Sequence, residues 1–93
     1  MSHPLGPLAD NLAAYAIYAT GQAEMRRAYS LIETGDYRTA AAEIDSAARA
    51  AKALANASAG IDAKRQEHWL RVVTARRRFA DQARSRATEP TAA

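Results

Sequence analysis

The dipeptide Gly35-Asp36 stands between two amphipathic runs, Ala23 to Glu33 before it and Tyr37 to Asn56 after it, and the three parts together read as a helical hairpin. Gly35 follows the apolar pair Leu31-Ile32, where a helix ends on a residue that can enter the left-handed region and close off free carbonyls. Asp36 directly precedes the next periodic run, where its carboxylate can accept from free first-turn amides and meet the positive end of the helix dipole. At about 100° per residue, Tyr37, Ala40, Ala41, Ile44, Ala47, Ala48, Ala51, Leu54 and Ala55 share one face; Arg38, Asp45, Ser46, Arg49 and Asn56 lie opposite. The buried stripe is nearly all alanine. It removes little area per residue, but it lets a neighbouring helix axis approach to about 8 Å.

Upstream, residues 1–6 are expected to be a flexible or loosely docked arm, and Pro7 suits the first position of a helix because its missing amide would be unpaired there. Helical periodicity then runs over 8–33. Leu8, Leu12, Tyr15, Ala16, Ala19 and Ala23 share one face, whereas Met25, Ala28, Tyr29, Leu31 and Ile32 share a roughly opposite one. The change falls at Gly21, so the helix either bends there to bring both faces to one core or runs on and offers its first half to a second partner. A continuous helix of this length spans about 39 Å, more than so small a domain needs. In that case Leu8, Leu12, Tyr15 and Ala19 form a partner or self-association surface.

Downstream of the hairpin, Gly60 is placed to cap the second helix and Asp62 the third. The third is predicted over 62–85, with Trp69, Val72, Val73, Phe79, Ala80 and Ala83 as its apolar stripe, and 87–93 as a disordered tail. The expected architecture is all-α: one domain over 7–86, a small antiparallel three-helix bundle with helices at 8–33, 37–56 and 62–85.

Gly35-Asp36-Tyr37, followed by Ala40, Ile44 and Ala47, resembles the turn and second helix of one tetratricopeptide (TPR) unit over about residues 21–53. In the first helix Ala28 and Leu31 keep only the small-then-large sense of that pattern, and Glu24, Arg27 and Lys52 stand where it has Trp, Leu and Pro. The small-residue hairpin is similar to that of the three-helix MIT domain as well. Either resemblance implies binding of a peptide or helix.

Roughly a quarter of the 93 residues are alanine, with four glycines and three prolines, a composition that favours helix throughout. A core this small leaves little spare stability, which favours association, and a homodimer is the expected form. No cysteine is present, so disulfides, thiolate metal sites and thiol nucleophiles are excluded. The start, Met1-Ser2-His3-Pro4, lacks a basic region followed by an apolar core, and the longest apolar stretch, Leu12 to Ala19, is far short of the ~20 residues that span a bilayer. A cytoplasmic protein with no membrane partner is therefore expected.

No cofactor or metal is expected: His3 and His68 are not at metal-ligand spacing, the glycines are isolated, and no Ser/His/Asp set or carboxylate pair can be placed on one surface. Catalysis is accordingly not expected. Charge is uneven: residues 1–52 carry five basic and six acidic side chains, a net −1, and residues 53–93 carry eight and four, a net +4. In the third helix Lys64, Arg71 and Arg78 recur every seven residues, with Arg77 and Arg84 in a flanking row. These five are candidates to contact an anion or nucleic acid, or else form a solvated basic face. Arg76 falls inside the apolar stripe. Its long stem either carries the charge to the rim, or the charge pairs with Glu24 or Glu43, or it anchors a dimer interface. The expected function is a non-catalytic protein-interaction or oligomerisation module with an unknown protein partner; the alternative is a small nucleic-acid-associated protein that uses the basic face of the third helix.

Overall fold

Asn11 starts the first long helix. Its backbone is extended, and its side chain accepts from the amide of Ala14 at 3.0 Å, satisfying a first-turn donor. The computed structural model describes residues 3–88 and contains α1 at Leu12–Glu33, α2 at Tyr37–Ser58 and α3 at Ala63–Thr88. The helices run antiparallel in sequence. Gly21 of α1 approaches Ala47 and Ala50 of α2, and Arg27 pairs with Glu43; across the next interface Ala47 meets Arg76 and Asp45 meets Arg84. The protein is an all-α three-helix bundle, and no described helix is long and apolar enough to cross a membrane.

The central turn has the expected chemistry. Gly35 lies at φ 82°; its amide donates to the Ile32 carbonyl at 3.0 Å and that of Asp36 to Leu31 at 2.8 Å, the paired bonds of a left-handed helix end. The Asp36 carboxylate then accepts from the Thr39 amide at 3.3 Å and caps α2. Asp62 repeats this for α3, accepting from Arg65 at 3.1 Å.

Two expectations are corrected. The first concerns the start of the chain. Pro7 does open a helical turn, but only the short 3-10 turn Gly6–Leu8, because Asn11 breaks the backbone into an extended conformation before α1 begins at Leu12. From His3 onward the expected loose arm is docked: Leu5 is 1% exposed and Leu8 is buried, both in a cluster with Ala14, Leu54, Trp69 and Val73. Arg65 holds this segment from outside by donating to the Pro4 carbonyl at 3.3 Å. Likewise α2 continues to Ser58 and α3 to Thr88, so that Ala87 and Thr88 are helical; the remainder of the expected tail, with Met1 and Ser2, falls outside the described residues.

The second correction concerns the face of α1. The helix is continuous through Gly21, and its inward positions are Ala14, Tyr18, Gly21, Met25, Ala28 and Ile32, in alternating steps of four and three. One stripe therefore serves both halves. Leu12 and Tyr15 mark the wrong side: Leu12 is 88% exposed, because Leu5 and Leu8 supply the bulk packed against Ala14, with Ile17 and Tyr18 beside them. Gly21 is a point of close approach. An added Cβ would stand 3.2 Å from Ala50 Cβ and 3.3 Å from Arg76 Nη1.

The alanine stripe of α2 is buried along its whole length and forms the centre of the molecule, packing on α1 with one edge and on α3 with the other. Its neighbours divide into two clusters. One holds Leu5, Leu8, Leu54, Trp69 and Val73; the other holds Met25, Ala28, Ile44, Ala80 and Ala83. They meet at the level of Ala47 to Ala51 of α2, where Gly21 faces α2 and Arg76 reaches in from α3. The molecule is long for its size, 53 × 21 × 19 Å.

Candidate functional site

With α2 between them, α1 and α3 touch each other through long side chains at three levels. Tyr18 meets Trp69 edge-on with ring centroids 6.0 Å apart, Gln22 meets Arg76, and Tyr29 meets Phe79 at 6.1 Å. Between the second and third levels lies an open depression of about 480 Å³ lined by Gln22, Met25, Arg26 and Tyr29 of α1 and Val72, Ala75, Arg76 and Phe79 of α3. No α2 side chain lines it. Phe79 is shared with a second depression of about 440 Å³ that continues to Ile32, Tyr37, Ala83 and Arg86. Together they form one groove with an apolar floor and three guanidinium groups, Arg26, Arg76 and Arg86, and no carboxylate among its described lining residues. Tyr29 stands half-exposed at its edge, and the Arg86 guanidinium lies 5.9 Å from the centre of the Tyr37 ring.

Arg76 belongs to this groove. Its Nη1 donates to the Ala47 carbonyl at 2.7 Å and its Nη2 to the Gln22 side-chain oxygen at 3.2 Å. Of the expected fates for this charge, pairing with Glu24 or Glu43 is not realised. Glu43 accepts instead from Arg27 at 3.2 Å, and Glu24 is buried beneath α1, bound through Oε2 to the Ser46 hydroxyl, with Oε1 unpartnered among the described residues. Burial holds the Arg76 guanidinium below the ordinary arginine range, and the neighbouring Tyr29, Glu24 and Tyr18 partly offset that effect. The group nevertheless stays protonated at neutral pH. A half-buried positive charge thus rests on two neutral acceptors.

The other predicted residues are dispersed. Of the expected association surface, Leu12, Tyr15 and Ala19 lie outward on α1, whereas Leu8 is inside the core and is removed from the set. Tyr15 is further occupied by the His3 ring, 5.4 Å away. In the basic row Lys64, Arg71, Arg77 and Arg78 are exposed, with no carboxylate within 4 Å among the described residues. Arg84 is different: it binds Asp45 of α2 at 2.6 Å and Asp81 one turn back on its own helix, and these contacts, Asp81 first, raise its pKa above the ordinary range. It is a tie between α2 and α3 and leaves the free row.

Sequence reasoning missed the groove. The apolar stripe of α3 includes Phe79 and Val72, but both are only half-buried because α2 covers one side of α3 and, among the described residues, only long α1 side chains such as Tyr29 reach across the next. The available signal was the width of the apolar surface, since α1 and α3 each carry a second apolar row beside their first. No known protein family matches the chain, and no curated protein or solved structure is significantly similar to it. The likeness to TPR and MIT hairpins therefore rests on the hairpin residues alone.

Proposed function

We propose that this protein is a non-catalytic helical module for protein–protein contact, working through the groove between α1 and α3. The observation that supports this reading is the row of apolar side chains along the seam of α1 and α3, with Met25 and Ala83 buried and Phe79 common to both depressions, left open where α2 contributes only Tyr37. Exposed apolar area of this kind is retained where a partner covers it. The TPR-like hairpin agrees with binding of a peptide or helix, and self-association of the same module through the exposed Leu12 side of α1 is part of the proposal. A photo-crosslinking residue placed at Ala75, in the groove, should form adducts with one protein partner in cells that make this protein, while the same residue at the exposed Ala42 of α2 should not. Equal or absent labelling from the two positions would remove the groove as the contact surface.

A second reading is supported by Lys64, Arg71, Arg77 and Arg78, whose charges face solvent without carboxylate partners among the described residues. Such a row can follow a phosphate backbone. The protein would then be associated with nucleic acid through the outer face of α3.

A further inference from the structure

We infer that the segment this groove takes is acidic and amphipathic, with large apolar side chains toward Met25, Tyr29 and Phe79 and carboxylates toward Arg26, Arg76 and Arg86. The inference rests on the interaction reading above and adds the chemistry of the partner.

Three observations carry it. The described groove residues include three guanidinium groups and no carboxylate, so every charged side chain lining it there is positive. Arg76 and Arg86 are ten residues apart on α3, about 15 Å along its axis, and Arg26 stands across from them on α1, so the charges are spread over the length of the groove. Finally, Arg76 is already oriented: two neutral acceptors fix its guanidinium at the groove wall, and neither neutralises it. A guanidinium has five N–H donors, and a carboxylate arriving from the open side meets a charge whose conformational entropy is already lost.

The competing occupants fit less well. A second copy of this chain would have to offer a stripe of free carboxylates. Its α1 has no charged residue from Leu12 to Ala23, Glu43, Asp45, Asp62 and Asp81 are in ion pairs and Asp36 caps α2, while the exposed Asp10, Glu33 and Glu67 lie before α1, at its end and on α3 and form no stripe. A nucleic-acid backbone would match the arginines but leave the apolar floor uncovered. An acidic amphipathic helix laid between α1 and α3 satisfies both surfaces, as a fourth element against a three-helix bundle.

The test is fluorescence anisotropy at about 150 mM salt, where exposed long-range attraction is screened. The probe is a labelled helix-forming peptide of about 20 residues with Leu along one face and Glu along its flanks. It is compared with the same peptide carrying Lys for Glu, and with a scrambled peptide of the same composition. The acidic amphipathic peptide should bind at least tenfold tighter than either control. Arg26→Glu with Arg86→Glu, both on exposed side chains so that the fold is kept, should weaken it at least tenfold; Arg76→Gln should weaken it in the same direction. Lys64→Glu with Arg71→Glu, outside the groove, should leave it within about twofold. A scrambled peptide that binds equally, or a loss of the same size from the Lys64 and Arg71 reversal, would show general polyanion binding and overturn the inference. An environment-sensitive dye at Ala75→Cys separates the two levels of failure. If the Lys peptide moves the dye and the Glu peptide does not, the acidic partner is wrong and the groove still docks a helix. If no peptide moves it, the groove reading falls as well.

Discussion

Arg76 of α3 donates through Nη1 to the main-chain carbonyl of Ala47 at 2.7 Å, in the middle of α2. A helical carbonyl has a second lone pair beyond its intrahelical bond, and a charged donor to it is among the stronger neutral-acceptor contacts a bundle can make. The contact crosses the junction of the two core clusters, at the level where Gly21 brings α1 close to α2.

Truncating this side chain should therefore be costly. Arg76→Ala removes the bonds to Ala47 and Gln22 and the stem that covers the groove floor, and is expected to destabilise the fold by about 1.5–3 kcal/mol in urea unfolding. Arg76→Met keeps the stem and removes the desolvated charge, and should lose less than about 1.5 kcal/mol. Equal losses for both would show that the stem contributes nothing.

Gly21 gives a test of close approach against bending. Ala50 Cβ, on a packed helix, cannot move aside as easily as the end of Arg76, so Gly21→Ala should gain about 1 kcal/mol in helix propensity and lose a similar amount to crowding. Its midpoint should stay close to wild type, while Gly21→Leu should fall by about 1–3 kcal/mol. A stabilisation of the full propensity gain in Gly21→Ala would mean that α1 and α2 are not in contact there.

The alanine stripe of α2 makes a parallel prediction. Ala47 and Ala48 are 0% and 2% exposed, so Ala47→Leu or Ala48→Leu should overpack and cost about 1–3 kcal/mol. Ala42→Leu, on the exposed face, should change stability by less than about 0.5 kcal/mol. The comparison needs only the three denaturation midpoints.

Self-association is checked by mass. If Leu12 and Tyr15 form a symmetric contact, light scattering at high micromolar protein should give twice the chain mass, and Leu12→Glu should return it to one chain with Trp69 still buried. A single-chain mass for the wild type counts against the dimer.

Salt dependence separates the two functional readings. If α3 binds duplex DNA through phosphates, affinity should fall with a log–log slope of about −0.9 per neutralised phosphate, and Lys64→Gln, Arg71→Gln and Arg78→Gln together should flatten it by about three units. The interaction reading expects negligible duplex binding at about 150 mM salt. Tight binding there, abolished by the triple change, would favour the nucleic-acid reading.

The features written into the sequence were those set by residues within one turn of each other. Gly35 and Asp36 determined where one helix stops and the next begins, since a left-handed glycine and a capping carboxylate act on amides and carbonyls three or four positions away. The phase of α2 was legible for a similar reason: one face is alanine throughout and buried throughout, so periodicity and burial agree. In α1 they disagree. Leu12 and Tyr15 are larger than Ala14 and Gly21, yet the small residues face inward, because the space on that side is set by how closely α2 approaches and by Leu5 and Leu8 folding in from the preceding turn. No local rule conveys the distance to a neighbouring helix. The same limit hid the groove and the fate of the arginines. Whether Arg76 meets a carboxylate or a carbonyl, whether Arg84 is free or tied to Asp45, and whether Phe79 is covered depend on which surfaces α2 can reach from between its two neighbours, and only the packed structure decides that.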